Sequence, residues 1–131
     1  MYIISIFKGM VKMVNLFDSE IKVMEILWKY HEVSAKEIAK ILNKEIGWSK
    51  TTTYTVIKKC IDKGAIGRKE PNFMCYPLIS VDQVRASEIE KLVSKLYNGS
   101  TDLLIASLVH TNKLTKDDFE KLMLLTEEPK E

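Results

Sequence analysis

At 131 residues the chain has the length of one domain with an appendage, and 20 basic side chains nearly balance 18 acidic ones for a net charge of +2. No run of about 18 apolar residues occurs, which argues against a membrane-spanning helix, and two cysteines are too few for a disulfide framework. There is no Gly-rich phosphate loop, no His-Glu-x-x-His pair and no Ser-x-x-Lys set, so enzymatic classes fall away and no cofactor or metal ion is expected.

The first residues, MYIISIFKGMVKM, hold a short apolar run without a small-residue cleavage site. Residues 1–16 are therefore expected to be an extension, disordered or strand-like, with Met13 as a candidate true start, and the protein to be cytoplasmic. From Ser34 the pattern becomes explicit. Ser34 with Glu37 has the spacing of a capping box, and the helix it opens buries Ile38, Ile41 and Leu42 before stopping near Asn43. After a turn through Gly47 and Trp48, Ser49 is an N-cap for a second helix running to about Lys63, with Gly64 at its end. Ile66–Lys69, a Glu-Pro-Asn turn and Phe73–Pro77 then read as a short hairpin. Helix, turn, helix and hairpin is the layout of a winged helix-turn-helix, which enters the major groove of duplex DNA with its second helix.

That second helix has two faces. Thr53, Val56, Ile57, Cys60 and Ile61 point to the core, while Thr51, Tyr54, Thr55 and Lys58 form a stripe suited to base edges, sugars and phosphates. A Thr-Thr-Thr-Tyr-Thr run is a poor choice for a helix, because β-branched side chains lose rotamer freedom there. Ser49, Lys50, Thr51, Thr52, Tyr54, Thr55, Lys58 and Lys59 are thus the candidate recognition residues, and Arg68 and Lys69 the candidate backbone grips on the wing. From Ser49 to Lys69, six basic residues face one acid, a local +5 against −3 for the remainder. Such a strip suits a polyanion met by one face. Cys60 and Cys75 read as reduced thiols, since His31 and His110 are too distant in sequence to complete a metal site with them.

Beyond Ile79, Ser80 with Gln83 starts a helix to about Tyr97, with Val84, Ile89, Leu92, Val93 and Leu96 on one stripe. Asn98-Gly99 ends it. A nearly all-apolar helix follows, and a last amphipathic one begins at Thr115. Three short helices cannot bury this surface alone. The expected solution is a twofold dimer through Leu92, Leu96, Leu104, Leu108, Phe119 and Leu122. The chain accordingly reads as mainly α with a small β-hairpin wing: an extension over 1–16, a winged helix-turn-helix DNA-binding domain over 17–79 and a C-terminal helical dimerisation arm over 80–131.

SEIKVMEILW (Ser19–Trp28), VSAKEIAKIL, GWSKTTTYTVIKKCIDKGAI, the Tyr76-Pro77-Leu78 run and the Tyr-x-Gly-x break at Tyr97–Ser100 resemble the BlaI/MecI penicillinase-repressor family, whose relatives include copper-responsive CopY repressors. The resemblance covers the chain from about Phe17 to Thr126. It implies a dimeric repressor on a palindromic operator, which in some members is inactivated when a membrane sensor triggers proteolysis. The family's cleavage position falls at Ser107-Leu108 here, in place of Asn-Phe. Thr51 and Tyr54 stand where the best-known members carry basic side chains, implying a different operator. The tail LTKDDFEKLMLLTEEPKE has no Cys or His, which separates the chain from the copper-responsive branch. A protein-interaction winged helix, with Tyr54 contacting a protein partner, is the alternative class.

Overall fold

A computed structural model describes residues 14–126; the expected extension lies mostly outside them. The chain opens on α1 (Asp18–Tyr30), followed by β1 (Val33–Ser34), α2 (Ala35–Ile46) and α3 (Lys50–Asp62). The hairpin comes next, as β2 (Ile66–Lys69) and β3 (Met74–Pro77), and then α4 (Val81–Leu96), α5 (Thr101–His110) and α6 (Lys116–Thr126). Chain contacts define one compact unit over Val14–Val84, while residues from Arg85 onward belong to a second.

The first unit is a winged helix. The hairpin strands pair antiparallel, with Arg68 opposite Cys75 and Lys69 opposite Met74. β1 adds a third strand, order β1-β3-β2, placing Val33 opposite Cys75. Two residues are too few to show a sequence period, so this strand is not legible in advance. The core joins Val23, Met24 and Leu27 of α1, Ile38 and Leu42 of α2, and Val56, Ile57 and Cys60 of α3 to Ile66, Cys75 and Val84. Leu16, just ahead of α1, is buried in it as well. Trp28 packs at the edge and donates its indole N–H to the Ile79 carbonyl at 3.0 Å.

Local signals explain the helix ends. The Ser34 and Ser49 hydroxyls accept from the Glu37 and Thr52 amides, each at 3.1 Å, satisfying first-turn donors. α2 runs to Ile46, about one turn past the expected stop at Asn43. Its apolar stripe ends at Leu42, but the helix continues until Gly47 provides the left-handed cap (φ 74°), donating to the Asn43 carbonyl.

Thr53 is fully buried in α3, and its hydroxyl has no hydrogen-bond partner among the described residues. Replacing a shape-matched but unpaired hydroxyl with methyl removes a desolvation penalty. Thr53→Val is therefore expected to stabilise the protein by about 1 kcal/mol, measured as a higher urea midpoint. A lower midpoint would mean the hydroxyl is paired in solution.

Ser80 and Gln83 form a reciprocal capping box at the start of α4, as do Thr115 and Asp118 at the start of α6. Asn98 and Gly99 both take positive φ and end α4. Neither α5 nor α6 has a buried residue. Among the described residues no helix is long and apolar enough to cross a membrane.

Candidate nucleic-acid interface

α3 carries most of the expected recognition residues on its solvent side. Ser49, Lys50, Thr51, Thr52, Thr55, Lys58 and Lys59 are all exposed. Ser49 and Thr52 bind one another as well, the Ser49 hydroxyl donating to that of Thr52 at 2.9 Å, which fixes the first turn. Four residues past Lys58 the exposed surface turns acidic at Asp62, so the polyanion-compatible face of α3 is its N-terminal two and a half turns.

Tyr54 differs from its neighbours. Its ring is half-buried against the core and meets Phe73 of the wing edge-on, with centroids 5.8 Å apart and planes at 89°. The Lys50 ammonium lies 5.6 Å from the Tyr54 ring centroid. Tyr54 thus joins the recognition helix to the wing, a geometry the helical stripe alone does not reveal.

Three cations of the strip from Ser49 to Lys69 have carboxylate partners. Lys63, counted with the basic strip, ends α3 and forms a 2.6 Å ion pair with Glu20. Its ammonium also donates to the Asn15 carbonyl at 2.7 Å and sits 4.0 Å over the Phe17 ring. On the wing, Lys69 pairs with Glu32, which raises the lysine pKa through that hydrogen bond and charge. Arg68 pairs with Glu70, whose pKa is lowered by hydrogen bonds from the Phe73 amide and from Arg68.

Sequence reasoning missed a second cationic element. Lys36, Ala39, Lys40 and Asn43 of α2 and Lys50 of α3 line a cleft of about 250 Å³. The i, i+4 spacing of Lys36 and Lys40 was the available signal, because it puts both on one helix side. Three lysines, one of them the first residue of α3, line this cleft, an arrangement chemically suited to phosphate oxygens.

The cysteines are buried and free. Burial, assisted by Glu20, pushes Cys60 up to about 12, and burial pushes Cys75 up to about 11. Both favour the neutral thiol, so their contribution to stability is complete below the ordinary thiol pKa near 9 and lost as pH rises through 11 to 12. At pH 8 the folded protein is expected to resist a thiol reagent that reacts rapidly once denaturant is added. Rapid modification without denaturant would contradict the burial. Among the described residues no group of three metal-ligating side chains occurs.

Of the expected dimerisation residues, Leu96 is 66 % exposed, Phe119 46 % and Leu122 45 %. Leu92 and Leu108 are also exposed, and Leu104 is half-buried. Ser107 and Leu108 lie within α5, where the Ser107 carbonyl accepts from both the amide and the hydroxyl of Thr111.

The penicillinase repressor family model matches residues 16–128. The chain is 24 % identical over 123 residues to the penicillinase repressor of Bacillus licheniformis, covering 92 % of this chain and 96 % of the relative. It is 28 % identical over 113 residues to the methicillin resistance regulatory protein MecI of Staphylococcus aureus, covering 85 % and 92 %. Solved structures similar to it include the solution structure of the DNA binding domain of the repressor BlaI, at 32 % identity and a TM-score of 0.49 over 55 % of this chain and 90 % of that one. Another is the Bacillus licheniformis BlaI monomeric form in complex with the blaP half-operator, at 30 % identity and a TM-score of 0.48 over the same shares. With most of its length matched by the family model, the chain belongs to the penicillinase repressor family.

Proposed function

We propose that this protein is a cytoplasmic, sequence-specific DNA-binding repressor that acts as a homodimer on an inverted-repeat operator. The observation that carries the reading is the exposed N-terminal face of α3, with Thr51, Thr55 and Lys58 presented beside the lysine cleft of α2. Hydroxyl and ammonium groups at helical spacing can reach base edges, while Lys36, Lys40 and Lys50 neutralise the adjoining phosphate backbone. Family membership supports the same role.

The dimer part rests on apolar surface. Leu96, Leu103, Phe119, Leu122, Leu124 and Leu125 are exposed, a density that a soluble monomer does not ordinarily carry. Twofold pairing of such a surface would remove it from water and bring two reading heads to a palindrome. Release by a signalling protease of the membrane-sensor type belongs to the same reading; cutting at Ser107-Leu108 would require α5 to unwind locally.

Sedimentation and duplex titration test this together. The wild type is expected to sediment as a dimer and to bind duplex with an affinity that falls steeply with salt, by roughly 0.9 log units per neutralised phosphate for each log unit of salt. Leu122→Glu is expected to give folded monomers with weakened operator binding. A dimer whose binding partner is a protein, with a shallow salt dependence and no duplex affinity, would favour the protein-interaction class instead.

A further inference from the structure

Arg68 is held in a way that a backbone grip does not need. One edge of its guanidinium is engaged by Glu70 Oε1, which accepts from Nε at 2.8 Å and lies 2.7 Å from Nη2. Its flat face lies 3.6 Å from the Phe73 ring centroid. Glu70 is itself fixed, because Oε2 accepts from the Phe73 amide at 3.1 Å. Phe73 is braced from two sides, by the Tyr54 ring and by its carbonyl, which accepts from the Ala35 amide at 2.9 Å. The arginine is thus oriented by its face and one edge. Its far end, carrying the Nη1 hydrogens and the second Nη2 hydrogen, has no acceptor among the described residues.

The charge balance separates two roles. With a carboxylate in contact, the Arg68–Glu70 unit brings little net charge to a phosphate, and a phosphate seeking the Nε edge would have to displace Glu70. What the unit retains is a set of aimed N–H donors with little remaining rotamer freedom. Base-edge acceptors are neutral, so they need direction and shape more than charge. Lys69, paired with Glu32, also has a carboxylate beside it, and Lys36, Lys40 and Lys50 supply cations for phosphates elsewhere.

We propose that Arg68 is a specificity-determining residue that reads base pairs flanking the footprint of the recognition helix, with Glu70, Phe73 and Tyr54 as its positioning residues. The proposal rests on the DNA-binding reading above and reverses the expectation that Arg68 grips the backbone. The wing then contributes sequence information, while affinity for duplex in general comes from α2 and α3.

The test is selection of full-length protein on duplexes with the central operator held fixed and the flanks randomised, repeated for Arg68→Ala, Arg68→Lys, Glu70→Ala and the double variant. The wild type is expected to prefer particular flanking base pairs by about tenfold, the scale of one well-oriented arginine contact. Both Arg68 substitutions should flatten that preference, because lysine cannot reproduce the fork. Glu70→Ala should weaken it at the same positions, and adding Glu70→Ala to Arg68→Ala should change it no further. A uniform fall in affinity with flank preferences intact, or a wild type with none, overturns the assignment. Should wild-type protein bind no duplex at all, the repressor reading fails first, and this inference falls with it.

Discussion

Lys63→Ala is expected to lower stability by about 3 kcal/mol, which for a unit of this size is a fall of roughly 10 °C or more in the thermal midpoint. Glu20 is fully buried, and its Oε1 accepts from the Phe17 amide and from Lys63, both at 2.6 Å. Removing the ammonium leaves a carboxylate in the core whose other oxygen, Oε2, already lacks a partner among the described residues. An unpaired buried charge costs far more than a broken surface pair. Lys63 is about one-third exposed, so water can replace it in part, and the loss falls at the lower end of the range for buried pairs. Adding Glu20→Gln to Lys63→Ala should recover more than half of the loss, because the amide keeps an acceptor for Phe17 without a charge. A loss below about 0.5 kcal/mol in the single variant would reduce the pair to a surface contact.

The pair has a consequence for DNA reading. It ties the C-cap residue of α3 to the first turn of α1, and Cys60 packs beside it with its thiol 4.0 Å from the Glu20 carbonyl. The recognition helix is thereby fixed at its C-terminal end, while Ser49 and the cleft define its N-terminal end. Lys63 is a stability residue despite standing in the basic strip.

The largest expected effect on binding comes from the cleft. The triple variant Lys36→Ala, Lys40→Ala, Lys50→Ala should bind every duplex more weakly, by about tenfold or more near physiological salt. The slope of log affinity against log salt should become shallower by roughly one to two for each reading head, as one or two phosphates lose their counter-charge. Because phosphate contacts carry position and not sequence, the preferred operator should stay the same. These side chains are exposed, so stability should change by no more than about 0.5 kcal/mol. An unchanged salt slope would remove the cleft from the interface. A changed sequence preference would make one of these lysines a base reader.

The winged helix was legible because its signals are local. Ser34, Ser49 and Ser80 stand at caps that form, Gly64 and Gly99 take positive φ, and the apolar stripe of α3 marks the core side. What escaped the sequence depends on residues far apart in the chain. Glu20 meets Lys63 from 43 positions away, and nothing in the first-turn glutamate of α1 names that partner. Tyr54 lies on the solvent stripe by periodicity, yet Phe73 of the wing folds over it. The same reach reassigns the charges: a count of lysines and arginines from Ser49 to Lys69 cannot tell Lys58, which is exposed, from Lys63 and Lys69, which have carboxylate partners. Lys36 and Lys40 precede the basic strip in sequence and join Lys50 only when α2 packs on α3.

The most direct test is selection of bound sequences from random duplex DNA by purified full-length protein at moderate salt. The account predicts enrichment of a palindrome whose half-sites are spaced by about one or more helical turns, as two symmetry-related α3 helices require. A folded dimer that enriches no sequence would contradict it and assign the exposed face of α3 to a protein partner.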